Sequence, residues 1–125
     1  MRLLLDTHVF LWWGANDPEL GEEAREAIAS VDSFVAVSAV VAWEVGVKRA
    51  QKKLDAPLDL RDQLERHRFE ELPITIEHAA RAAALPYHHR DPFDRMVVAQ
   101  AQFEGLTIVT RDSKIGMYDV ATLPA

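Results

Sequence analysis

The chain of 125 residues contains no cysteine. That excludes a disulfide framework, a cysteine nucleophile, and zinc or iron–sulfur sites held by thiolates. It fits the reducing cytosol, and a cytoplasmic location is the expectation. No apolar run approaches the ~18 residues that a membrane-spanning helix needs, so no membrane role is expected. The opening Met1-Arg2-Leu3-Leu4-Leu5 meets Asp6 too soon for a secretory signal, whose apolar stretch continues for about 7–15 residues. Glycine-rich phosphate loops, a Gly-x-Ser-x-Gly elbow and internal repeats are also missing. Positive charge is scarce: 14 Lys and Arg face 20 Asp and Glu, for a net charge of −6. Bulk charge therefore gives no support for nucleic-acid binding.

What is present reads as one ordinary globular domain covering residues 1–125. The 49% hydrophobic and 27% charged content argues against disorder. A chain of this length buries roughly two thirds of its unfolded surface. Charge is unevenly spread. Residues 1–47 set Arg2 and Arg25 against Asp6, Asp17, Glu19, Glu22, Glu23, Glu26, Asp32 and Glu44, which is the whole of the net −6. The remainder is neutral and starts with Lys48, Arg49, Lys52 and Lys53. These form either a basic strip or a solvated helix end favoured by the helix dipole.

Strands are predicted at Leu3–Leu5, Phe34–Val37, Glu71–Ile74 and Leu106–Val109, with an edge strand near Asp119–Thr122. Helices are predicted at Thr7–Trp13, Glu19–Ser30, Ala39 to about Lys53, Leu58–His67, Ile76–Ala84 and from Asp91-Pro92 to Glu104. Ser38 and Asp91 are the predicted caps of two of them. Asp55-Ala56-Pro57 and Gly105 are the predicted breaks. Short buried strands alternating with helices indicate an α/β fold with a mainly parallel sheet.

In such sheets functional residues gather beyond the C-terminal strand ends. Asp6 and Asp112 each directly follow an apolar strand. Asp94 lies in the first turn of its helix. Glu44 is surrounded by apolar residues from Ala39 to Val47, where a carboxylate is costly unless a cation or donors meet it. Four acids without cysteine indicate a hard-cation site for Mg²⁺ or Mn²⁺ and phosphodiester hydrolysis. Each acid also has a purely structural explanation. Asp6 and Asp94 suit helix starts, Asp112 suits a turn, and Glu44 can pair with Lys48 at i,i+4. Asp91 reads mainly as a cap. His88 and His89 read as a substrate-contacting or exposed loop, and His8, His67 and His78 as structural. Phe10, Trp12 and Trp13 read as core or subunit interface rather than as a base-stacking platform.

The segments Leu3-Leu4-Leu5-Asp6-Thr7-His8, Ser38–Val45 with Glu44, His89-Arg90-Asp91-Pro92-Phe93-Asp94-Arg95-Met96, and Leu106–Asp112 occur in the order found in PIN-domain proteins. More narrowly, the chain resembles the VapC-type toxins of type II toxin–antitoxin systems. The resemblance implies a three-layer α/β/α fold with a short, mainly parallel central sheet. It also implies a Mg²⁺- or Mn²⁺-dependent endoribonuclease whose catalytic acids fall on Asp6, Glu44, Asp94 and Asp112. Asp6 and Asp94 would be the firmest metal ligands, and Thr110 matches a hydroxyl often found before the last acid. Lys48, Arg49, Arg95 and Arg111 are the candidate RNA phosphate contacts. The implied partners are RNA, a cognate antitoxin that fills the groove, and a second copy of the chain. The alternatives are a phosphoryl-transfer protein of haloacid-dehalogenase or receiver type using Asp6, and a non-catalytic module on the same fold.

Overall fold

Leu3, Leu4 and Leu5 lie in β1 (Arg2–Leu5), the central strand, and all three are fully buried. Side chains alternate across a strand, so Leu3 and Leu5 join one apolar cluster and Leu4 the other. A strand buried on both faces needs covering layers on both sides, which is the α/β/α arrangement. The computed structural model describes residues 1–55 and 59–125.

The sheet runs β3 (Glu70–Leu72), β2 (Phe34–Ser38), β1, β4 (Thr107–Thr110), β5 (Thr122–Pro124), with every pair parallel. Register is set by Leu4 opposite Ala36 on one side and Ile108 on the other. One face is covered by α1 (Thr7–Gly14), α2 (Glu22–Ala29) and α4 (Leu60–His67), through Val9, Phe10, Ala24, Ile28 and Leu64. The other is covered by α5 (Ile76–Ala84) and α6 (Pro92–Glu104), through Ala82, Val97, Val98 and Ala101. α3 (Ala39–Ala50) serves both faces, with Val41 and Val45 in the first cluster and Val40 in the second.

The chain builds β1, β2 and β3 outward to one side, then returns to place β4 and β5 on the other. The connections leaving β1 and β4 therefore diverge, which opens a crevice at their C-terminal ends. Asp6 follows β1 there, and Arg111-Asp112 follows β4.

Several predicted boundaries shift for local reasons. α2 starts at Glu22 rather than Glu19, because Asp17 Oδ1 accepts the Glu19 N–H at 2.9 Å and holds a turn. α3 stops at Ala50 rather than Lys53; Lys52 turns left-handed at φ 58° and the Lys53 N–H returns to the Lys48 carbonyl. β5 lies three residues later than predicted, in register with Ile108–Thr110. A 3₁₀ turn at Ile115–Met117 was not predicted. Ala56, Pro57 and Leu58 carry the predicted break and the predicted start of α4, and they lie outside the described residues.

Candidate active site

Asp6 is placed by two roles at once. As N-cap of α1 its Oδ1 accepts the Val9 N–H at 2.9 Å, so the capping explanation holds. Its Oδ2 accepts the Thr110 hydroxyl at 2.5 Å, and Thr110 Oγ1 in turn accepts the Asp112 N–H at 3.0 Å. Thr110 thereby ties the acid after β1 to the acid after β4. Asp6 is buried, and burial pushes its carboxyl above the ordinary range.

Glu44 is 3% exposed. Its Oε1 accepts the Thr7 hydroxyl at 2.5 Å, and its Oε2 pairs with Lys48 one turn on. The i,i+4 pairing expected from sequence is real, and it explains how a carboxylate survives in an apolar helix. It does not remove Glu44 from the site, because Glu44 and Lys48 both line the cleft.

α6 begins at Pro92 with Asp91 as N-cap, its Oδ1 accepting from Phe93 at 2.8 Å and Asp94 at 3.2 Å. Asp94 follows in the first turn. Its carboxyl is pushed up to about 7, first by burial and then by the charge of Asp91, with Glu44 and Asp6 adding and His89 opposing. Burial acts in the same direction on Asp112, but the hydrogen bonds from His89 and the Lys114 N–H outweigh it and hold that carboxyl below the ordinary range.

His89 is the residue that sequence reasoning misplaced. It does lie in a loop, read as substrate-contacting or exposed, but it is buried, with Nε2 2.8 Å from Asp112 Oδ2 and 3.0 Å from Asp94 Oδ2. Among the described residues, His89, Asp94 and Asp112 are the group whose ligand atoms all lie within 4.8 Å of one another. His8 is exposed and lines the cleft, whereas His67 and His78 are structural as expected.

The resulting cleft has a volume of about 360 Å³, and Asp6, Glu44, Asp91, Asp94 and Asp112 all line it. Thus the four expected acids come together, and Asp91 joins them. The donor set is hard oxygen, crowded with like charge, and fits a divalent cation of the Mg²⁺ type.

The four candidate phosphate contacts do not share one fate. Lys48 lines the cleft. Arg111 lines it too, with its guanidinium 4.6 Å from the Trp12 ring centroid and bonded to Glu19 and the Ala125 carbonyl. Arg49 is exposed but is not among the lining residues. Arg95 is corrected: it is 7% exposed and donates to the carbonyls of Ala82, Leu85, Pro86 and His89. A guanidinium so buried cannot reach a phosphate.

Residues 3–122 match the model of the PIN domain. The chain is 36% identical over 118 residues to Ribonuclease VapC22 of Mycobacterium tuberculosis, covering 90% of this chain and 88% of that one. Among solved structures it is similar to VapBC2 from Rickettsia felis bound to a promoter DNA fragment, at TM-score 0.72 and 18% identity, over 99% and 98% of the two chains. It is also similar to a toxin–antitoxin complex from Klebsiella pneumoniae, at TM-score 0.66 and 22% identity, over 97% and 95%. Taken with the acids at the β1/β4 crevice, these matches establish that the chain belongs to the PIN-domain family, in its VapC-type group.

Proposed function

We propose that the protein is a metal-dependent endoribonuclease acting as the toxin of a type II toxin–antitoxin pair. The observation that carries this reading is the convergence of Asp6 after β1, Glu44 in α3, Asp94 in α6 and Asp112 after β4 on the crevice where the strand order reverses. The name of the Mycobacterium tuberculosis relative supports it.

Asp6 and Asp94 would hold the cation, with Asp112 completing its ligand set. The chemistry a Mg²⁺ or Mn²⁺ ion would supply there is polarisation of a phosphodiester and a lowered pKa of water. The remaining work belongs to the chain. Thr110 fixes the Asp6 carboxylate through one oxygen and the Asp112 backbone through its own. Thr7 and Lys48 fix Glu44 at the cleft wall, where it orients an attacking water. Lys48 and Arg111, which both line the cleft, are the candidates for phosphate contacts.

The proposed partners are RNA, an antitoxin and a second copy of the chain. The antitoxin proposal draws on the toxin–antitoxin character of the structural neighbours. An acidic cleft suits an antitoxin arginine, which meets carboxylates bidentately. The phosphoryl-transfer alternative draws no support from the matches, which are to a PIN domain and to a VapC ribonuclease.

The test is cleavage of RNA with Mg²⁺, with EDTA, and by Asp6→Asn and Asp94→Asn. Cleavage by wild type in Mg²⁺, lost in EDTA and lowered by at least about 100-fold in either variant, is expected. Equal cleavage in EDTA, or by both variants, would overturn the reading.

A further inference from the structure

We infer that His89 is a positioning residue of this site, whose Nε2, hydrogen-bonded to Asp112 and beside Asp94, presets the spacing at which the two carboxylates receive a cation. The inference rests on the nuclease reading above and concerns how the site is assembled.

The two acids arrive from unrelated places, Asp94 from the first turn of α6 and Asp112 from the turn after β4. Two carboxylates so close repel when both are ionised, and a donor or a cation between them offsets that. The imidazole supplies the donor: Nε2 bonds to Asp112 Oδ2 at 2.8 Å, and Asp94 Oδ2 lies 3.0 Å from the same nitrogen. Its tautomer follows from the other ring nitrogen. The Asp91 backbone N–H is 3.2 Å from Nδ1 and aimed at it, so Nδ1 accepts and the ring proton sits on Nε2. A nitrogen carrying that proton is a donor to the acids and not itself a metal ligand.

The ring is also gripped from behind. The His89 N–H donates to the Tyr118 hydroxyl at 2.9 Å, and that hydroxyl donates to the Pro86 carbonyl at 2.7 Å. The His89 carbonyl accepts from Arg95 at 3.3 Å. Backbone N–H, carbonyl and Nδ1 are thus held by Tyr118, Arg95 and Asp91 in turn, which leaves Nε2 facing the acids. That is the arrangement by which groups behind metal ligands orient them.

Substitutions separate the two ring nitrogens. The amide nitrogen of Gln reaches about where Nε2 lies, whereas Asn reaches only as far as Nδ1. Mg²⁺ binding by calorimetry, without RNA, is therefore measured for wild type, His89→Gln, His89→Asn and His89→Phe, with melting curves in EDTA to confirm folding. His89→Asn and His89→Phe are expected to lose about 10- to 100-fold in affinity, and His89→Gln no more than about threefold. In parallel, ¹⁵N-histidine spectra of wild type should show a proton on Nε2 both before and after Mg²⁺ is added. Wild-type affinity in His89→Asn would overturn the proposal even if His89→Phe fails to fold. So would a proton on Nδ1, or loss of the Nε2 proton on Mg²⁺ binding, which would make His89 a ligand. If wild type binds no Mg²⁺ and cuts no RNA, the nuclease reading falls and this proposal with it. If wild type does both and only the His89 variants behave like it, the His89 role alone falls.

Discussion

Asp94 concentrates the electrostatic tension of the site. Its carboxyl is pushed up to about 7 against an ordinary 3.8, first by burial and next by Asp91. The native state therefore holds a proton there that the unfolded chain has already released. Between the two values folding binds protons, so stability falls as pH rises through that window and stays reduced above it. Asp94→Asn keeps the shape and removes the charge. In EDTA at pH 8 the variant is expected to melt above wild type by at least about 3 °C, the two curves drawing together near pH 4. Mg²⁺ should raise the melting temperature of wild type far more than that of the variant, because binding to the native state alone stabilises by mass action. A variant melting well below wild type in EDTA at pH 8 would make Asp94 a structural residue.

At the scale of elements, the start of α6 carries two separable jobs. Asp91 caps the helix through one oxygen, so Asp91→Asn should leave the melting temperature nearly unchanged, and Asp91→Ala should cost about 1 kcal/mol. Asp91→Asn also removes a charge that raises Asp94, so the Asp94 carboxyl should titrate lower; a ¹³C carboxyl titration reads this directly. Arg95 clamps the turn between α5 and α6 through four carbonyls, with its guanidinium 4.3 Å from the Tyr87 ring centroid. Lys in its place presents three donors from one point, and Arg95→Lys should destabilise by at least about 2 kcal/mol, measured by urea unfolding. What was legible in the sequence follows the same division. Ser38, Asp91-Pro92 and Gly105 act on neighbours two to four residues away, and the structure has them as cap, cap with helix start, and left-handed stop. β5 moved because its register is set by β4, not by its own residues. Arg95 misled because adjacency to Asp94 in sequence is about 100° of rotation on a helix, which turned it inward. His89 was illegible because its acid partners lie 5 and 23 residues on, and no local pattern records such a meeting.

Across the whole molecule, the apolar block of α1 is largely used within the chain. Phe10 is core, Trp13 packs on His67 and Phe69, and Trp12 stands at the cleft beside Arg111. The charge pattern sets how RNA can be held. Residues 1–47 carry the entire net −6, and they supply Asp6 and Glu44 to the cleft. Of the bases at the cleft, Lys48 is paired with Glu44 and Arg111 with Glu19, so each must share its charge with an acid already present. Few counterions are then released on binding. For single-stranded nucleic acid the slope of log K against log salt is about −0.7 per phosphate neutralised, so one to three contacts give a slope between about −0.7 and −2. Binding of RNA by the cleavage-deficient Asp6→Asn variant, measured in Mg²⁺ at several salt concentrations, should fall in that range. Affinity would then come mainly from the acid-held cation and from base contacts rather than from a basic surface. A slope steeper than about −4 would mean that the exposed Arg49, Lys52 and Lys53 carry the RNA backbone, and Gln at those three positions should then flatten it.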